Sequence, residues 1–264
     1  MKPIFILLVL FLTACSPRHV ATVIQYPAAS ISIQGKLFTT IFQQKAAEYR
    51  ALCLQAYNIA HLRLNMYQPT TNLPKAIITD IDETILDNSP YEAHQTLQGK
   101  DYEPASWYEW TDKSAADTVP GAASFLKYAA SKGVEIFYIS NREEREREST
   151  ISNLRKYQLP NADSTHYLPK TTTSGKEPRR QIVAATHEII MLMGDNLADF
   201  SSLFDKKNME ERSRNTDLSA SDFGNRFIVL PNPMYGDWEA SFFNFNKYTQ
   251  AQKDSVIRVG VKGY

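Results

Sequence analysis

The chain has 264 residues, 43% hydrophobic and 22% charged, with 29 Lys+Arg against 29 Asp+Glu. That is ordinary for a globular domain, and the balanced charge lacks the basic footprint of a protein that binds a nucleic-acid polymer. Cys15 and Cys53 are the only cysteines; once Cys15 is accounted for as below, no intramolecular disulfide is open to the chain and Cys53 reads as a small buried apolar residue.

Residues 1–14 read as a signal segment. Lys2 gives a positive start, Ile4 to Leu12 an apolar run short for a bilayer span, and Leu12-Thr13-Ala14-Cys15 a small-residue cleavage site ending in cysteine. This resembles a bacterial lipoprotein signal, which implies acylation, palmitate included, at Cys15 and a lipid-anchored protein of the cell envelope, at the outer membrane by the habit of such proteins with Ser16. Residues 15–35, with Pro17 and Pro27, read as a tether, and 36–264 as one domain. Leu37, Phe38, Ile41, Phe42, Tyr49, Leu52, Tyr57, Ala60 and Leu64 recur at helical spacing, so Lys36 to Tyr67 is expected to pack an apolar stripe in one helix or two.

Pro69 and Pro74 then lead into Lys75-Ala76-Ile77-Ile78-Thr79, an apolar run read as a buried strand that ends in Asp80-Ile81-Asp82. Side chains alternate along a strand, so the two aspartates share a side if the extended backbone continues past Thr79. The stretch from about 88 to 119 is poor in aliphatic residues and carries Tyr91, Tyr102, Trp107, Tyr108 and Trp110. A connection of this length is expected to be a cap or binding loop, its rings either filling a small core of their own or stacking on a flat ligand.

Gly121 to Lys132 reads as a helix stopped by Gly133, and Val134 to Ile139 as a second strand with Ser140-Asn141-Arg142 at its end. Arg142, Arg145 and Arg147 read as part of the exposed face of the charged helix that follows. Thr165 to Leu168 reads as a short strand, Thr171 to Lys176 as a polar loop, and Pro178 as the entry to a helix. Glu188 to Met193 is a third strand followed by Gly194-Asp195-Asn196-Leu197-Ala198-Asp199. Phe204 to Phe223 reads as an irregular surface excursion and Arg226 to Leu230 as a strand. The loop Pro231 to Trp238 places Tyr235 where it could close over a site, and the tail from Glu239 reads as one aromatic-rich helix with an untidy end.

Strand ends thus carry, in order, a carboxylate pair, a hydroxyl, a lysine in a following loop and a second carboxylate pair. This ordered set resembles the four motifs of the haloacid dehalogenase (HAD) superfamily: Asp80-Ile81-Asp82-Glu83-Thr84, Ser140, Lys176, and Gly194 to Asp199. With Ala46 to Leu52, Asn88-Ser89-Pro90-Tyr91, Trp107-x-x-Trp110 and Pro231-Asn232-x-x-Tyr235-Gly236-x-Trp238, the whole resembles the class C acid phosphatases, lipoprotein 5′-nucleotidases of that superfamily. The resemblance implies an α/β, Rossmann-like parallel sheet with helices on both faces, a homodimer, and phosphomonoester hydrolysis, nucleoside 5′-monophosphates and nicotinamide mononucleotide among the substrates. Lys170 lies near the third motif, and Lys176 is the better placed of the two.

Chemistry gives these residue types distinct tasks. A carboxylate nucleophile, Asp80, splits a very slow hydrolysis into phosphoryl transfer and hydrolysis of an aspartyl phosphate, while Asp82 serves as acid and then base. Hard oxygen ligands suit Mg²⁺, with Asp80, Asp195 and the Asp82 backbone carbonyl assigned to it and Asp199 orienting Lys176 or a metal-bound water. Ser140 and Lys176 would hold and balance the phosphoryl group. Tyr91, Trp107, Trp110, Asn141 and Tyr235 are the substrate-binding candidates. Two other readings remain: a dehalogenase of the same fold, against which Asp82 argues, and a lipid-anchored nucleotide- or cofactor-binding protein without chemistry.

Overall fold

The computed structural model describes residues 30–264, so the signal segment, Cys15 and most of the tether lie outside the described residues. The chain opens with α1 (Ile31–Lys45) and α2 (Ala47–Met66), separated at Ala46, where the backbone turns extended. Helix α1 begins within the stretch expected to be tether because the Ser30 side chain accepts the Ile33 N–H and caps it. Next come β1 (Lys75–Thr79), β2 (Leu86–Asp87), α3 (Ser89–Leu97), α4 (Pro104–Thr111), β3 (Asp117–Thr118), α5 (Ala122–Ser131) and β4 (Glu135–Glu143). They are followed by α6 (Arg147–Lys156), β5 (Tyr167–Lys170), α7 (Glu177–Ala184), β6 (Glu188–Gly194), α8 (Met209–Leu218), β7 (Phe227–Val229), α9 (Asp237–Phe242) and α10 (Gln250–Gly260).

Five strands form one sheet in the order β5-β4-β1-β6-β7, every pair parallel. The alternation of side chains along β1 and β4 divides the core. Ile77, Ile136 and Tyr138 face a large cluster with Tyr57 and Ala60 of α2, Phe125 and Leu126 of α5, and Ile151 and Leu154 of α6. Ala76, Ile78, Phe137 and Ile139 face the opposite side, against Val183 of α7. With both faces covered, β1 sits at the sheet centre and its carboxyl end is the natural place for a site. Cys53 is fully buried in the large cluster, where burial pushes its thiol up to about 11.

Three expectations are corrected. Helix α1 does not pack its apolar stripe: Phe38 is 74% exposed and Ile41 and Phe42 are exposed too, while Ser32, Lys36, Thr40 and Gln43 are buried. Leu52 of α2 is likewise exposed. Polar partners recruit α1, since Lys36 reaches Asp101 at 2.7 Å and Gln43 donates to Asp87 at 2.8 Å. The excursion 204–223 contains α8, opened by a capping box between Asn208 and Glu211. The tail is two helices, α9 and α10, and α10 is drawn back onto the start of α1 by Ser32 Oγ donating to Gln250 at 2.7 Å. The 88–119 insertion holds α3, α4 and the short antiparallel β2–β3 ribbon.

Candidate active site

Asp80 follows the last residue of β1, its N–H donating to Met193 O at 2.9 Å in the neighbouring β6. The chain then turns tightly, Ile85 and Leu86 N–H both returning to Ile81 O at 2.8 and 2.9 Å, with Glu83 in the left-handed region at φ 55°. This turn keeps Asp82 beside Asp80, and both line one cavity of about 510 Å³, within the usual range for a small-molecule site. Glu83 is buried and holds the turn from inside by accepting Asn88 N–H at 2.7 Å and the Tyr235 hydroxyl.

Lys176, at the entry to α7, places its ammonium 2.5 Å from Asp80 Oδ1 and 2.6 Å from Asp199 Oδ1. Lys170 instead pairs with Glu143 at 3.0 Å, away from Asp80 and Asp199. Burial alone would lower the Lys176 ammonium, but Asp199 and Asp80 outweigh it and hold it above its ordinary value. Asp195, at the end of β6, is fixed by Asn232 Nδ2 at 2.8 Å and Thr84 Oγ1 at 3.3 Å. Asp199 returns beneath it, its second oxygen accepting Asn196 N–H at 2.9 Å. A side chain at Gly194 would put a Cβ 2.3 Å from Asp199 Oδ2, so only glycine permits this return.

Asp80, Asp195 and Asp199 each offer an oxygen within 4.8 Å of the others. One ammonium against three carboxylates, Asp80 and Asp199 buried and Asp195 partly so, leaves excess negative charge. Burial first, and then the neighbouring carboxylates, push the Asp80 and Asp195 carboxyls above their ordinary range, although Lys176 pulls Asp80 back. A set of hard oxygen donors with uncompensated charge fits a divalent cation of the Mg²⁺ or Ca²⁺ type.

Asp82 is held apart from that cluster by a side chain the sequence hides. Arg142, read as part of an exposed helix face, is buried because β4 runs on to Glu143; its Nη2 and Nε meet Asp82 at 2.7 and 3.1 Å. Asn88 Nδ2 donates to the same carboxylate at 2.8 Å, so its orientation is fixed from two sides. Arg179, one turn into α7, donates to Ser140 O at 2.5 Å and Asn141 Oδ1 at 2.7 Å, joining the ends of β4 and the lysine loop. Ser140 is fully buried and its hydroxyl accepts Arg142 N–H at 3.1 Å; Asn141 and Arg142, rather than Ser140, line the cavity.

Of the aromatic candidates, Trp107 and Tyr235 line the cavity together with Tyr102. Tyr91 and Trp110 do not. Tyr91 is buried with its hydroxyl accepting Glu103 N–H at 3.1 Å, and Trp110 donates its indole N–H to Asn88 at 2.8 Å while packing on the core. Tyr91 ties α3 to the start of α4 within the cap and Trp110 braces Asn88 behind Asp82, roles that aromatic content alone does not separate from ligand stacking. The far wall brings in Lys36, Glu92, Asp101, Glu239 and Lys253, none of them foreseen, because they come from α1, α3, the cap and the last two helices. No sequence signal marks them, because the burial of Lys36 beside an apolar-looking stripe appears only in the folded chain.

The family model for the HAD superfamily, subfamily IIIB (acid phosphatase), matches residues 14–238. The class C acid phosphatase from Bacillus anthracis is similar at 41% identity, with a TM-score of 0.84 over 88% of this chain and 98% of that one. Its tungstate-bound structure gives 40% identity and a TM-score of 0.85 over 89% and 99%. Acid phosphatase 1 of Solanum lycopersicum is 24% identical over 164 residues, spanning 60% of this chain and 57% of that relative.

Proposed function

The chain belongs to the HAD subfamily IIIB acid phosphatases, and from that premise we propose that it hydrolyses phosphomonoesters through an aspartyl-phosphate intermediate, with nucleoside 5′-monophosphates, nicotinamide mononucleotide among them, as preferred substrates. The observation that carries the reading is the convergence of Asp80, Lys176, Asp195 and Asp199 at the carboxyl ends of β1 and β6 on one cavity wall. A site for binding alone has no need of an anionic nucleophile held against a buried ammonium. Tungstate, a tetrahedral oxyanion, is bound in the similar B. anthracis enzyme.

In this mechanism Asp80 Oδ attacks phosphorus and the ester oxygen leaves. Asp82, steered by Arg142 and Asn88, gives that oxygen a proton and later takes one from the water that opens the aspartyl phosphate, work worth ~10²–10⁴-fold. Lys176 offsets charge on the phosphoryl oxygens and keeps Asp80 in line, while Asn141 offers an amide at the cavity wall. Asp80, Asp195 and the Asp82 carbonyl would hold Mg²⁺, which supplies positive charge to the phosphoryl oxygens when bound. Trp107, Tyr102 and Tyr235 offer the base its stacking faces, ~1–3 kcal/mol per base. Acylation at Cys15 would tether the enzyme to the cell envelope.

Phosphate release should vanish in EDTA and return with Mg²⁺, and Asp80→Asn should be inactive; full turnover by either would overturn the reading. Tyr102→Ala should lower kcat/KM more for a nucleotide than for a small aryl phosphate. Equal losses would remove the base preference. Cys15→Ala should release the protein from the membrane fraction, and its retention there would remove the anchor.

A further inference from the structure

The cavity does not end at the reacting carboxylates. Its far wall gathers Lys36 from α1, Glu92 from α3, Asp101 from the cap, Glu239 from α9 and Lys253 from α10. Asp101 is the hub of this wall, 2.7 Å from Lys36 Nζ, 2.5 Å from Lys253 Nζ and 3.3 Å from Gln250 Nε2. Glu239 takes the remaining contact of Lys36 at 3.4 Å. Both cations are thereby committed to two of the three carboxylates.

Glu92 is left over. It is 4% exposed, lines the cavity, and among the described residues its carboxylate has neither a hydrogen bond nor an ion pair within contact distance. Burial, with Asp101 and Glu239 adding to it and Lys36 opposing, pushes it up to about 7. Glu92 borders the cavity rather than being sealed from it, so a ligand that brings an N–H or a positive charge there gives the carboxyl group a partner in place of solvent.

Resting on the phosphatase reading above, we propose that this wall is a subsite for the distal end of the leaving group, with Glu92 as its acceptor. It takes a hydrogen-bond-donating or cationic group and turns away a second anion. Above about pH 7, where Glu92 is ionised, three carboxylates against two ammonium groups leave the wall net negative, so a substrate carboxylate or a second phosphate meets repulsion there, while an amino group meets a waiting oxygen. The subsite therefore sorts monophosphates by what they carry opposite the phosphate, which neither Asp80 nor the aromatic faces can do.

The test compares kcat/KM for cytidine, uridine and 5-carboxyuridine 5′-monophosphates, which share the sugar phosphate and a pyrimidine ring but carry at the far edge of that ring an amino group, neither, or a carboxylate. Cytidine should lead and 5-carboxyuridine trail by tenfold or more, and Glu92→Gln should narrow that ratio to threefold or less. Glu239→Gln, measured beside it, serves if Glu92→Gln fails to fold, and should narrow the ratio in the same direction by removing one negative charge. A wild-type ratio near one, or a ratio that folded Glu92→Gln and Glu239→Gln leave unchanged, overturns the proposal. The ratio is read whether or not nucleotides outrun sugar phosphates, so loss of the base preference alone leaves it standing; absence of turnover on every phosphomonoester would instead defeat the phosphatase reading.

Discussion

Lys176→Met isolates the ion cluster that organises the site. The lysine side chain is 6% exposed and its two carboxylate partners, Asp80 and Asp199, are 9% and 6% exposed, so the substitution leaves both acids buried without their ammonium. Removing one member of a buried pair costs ~3–5 kcal/mol, and for a chain of this size each kcal/mol lowers Tm by ~2–4 °C, giving a loss of ~6–20 °C. The melt should be run in EDTA, since a bound cation would stabilise the same carboxylates by mass action. Adding Asp199→Asn removes one of the stranded charges while keeping an acceptor for Asn196 N–H, so the double variant should regain at least ~1 kcal/mol of the single variant's loss. Activity should behave differently: kcat falls ~10²–10³-fold in both, because neither has an ammonium beside the nucleophile. A Tm change below ~3 °C, or a double variant no more stable than Lys176→Met, would refute the claim that Lys176 neutralises two buried carboxylates.

Arg142→Lys keeps the charge but loses the two-pronged hold on Asp82, so turnover of alkyl phosphates, which need a proton on the leaving oxygen, should drop ~10-fold or more relative to aryl phosphates; equal losses on both would sever Arg142 from Asp82's role. Gly194→Ala forces a Cβ into Asp199 and should cost ~1–3 kcal/mol of stability together with activity, read by denaturant melts and phosphate release; an unperturbed variant would show that the return of Asp199 has slack. Glu92→Gln carries a pH signature. Because the folded carboxyl is raised from 4.5 to about 7, with Lys36, Asp101 and Glu239 facing it, the folded state binds the extra proton in that window and wild-type stability falls as pH rises through it. The glutamine variant escapes that loss, so its stability advantage in denaturant melts should grow from pH 4.5 to pH 8 toward ~3 kcal/mol, and a pH-independent difference would contradict the assignment.

The β1, β4 and β6 runs were legible because a doubly covered parallel strand must be apolar along its length, and the polar residues that end such runs stand out against it. Asp80, Asp82, Asp195 and Asp199 were found that way, and Lys176 only through the resemblance to the third HAD motif, since a loop lysine by itself reads as solvated. What misled was periodicity without partners. The stripe on α1 has helical spacing, yet Phe38 is solvent-facing and Lys36 is buried, since hydrogen bonds to Asp87 and Asp101 set the helix's rotation.

The sequence by itself determined the alternating faces of the sheet, the acids at its carboxyl edge and hence the chemistry, because these depend on neighbours one to four residues apart. Tertiary structure alone decided that Arg142 turns inward to Asp82, that Tyr91 and Trp110 brace the cap instead of facing a ligand, and that Lys36, Glu92, Asp101, Glu239 and Lys253 share one wall. Those residues are brought together across more than two hundred positions of chain by α10 folding back onto α1. A charged side chain carries no mark in sequence of whether its counter-ion or the solvent will satisfy it, and only the closed packing of five separate elements settles which.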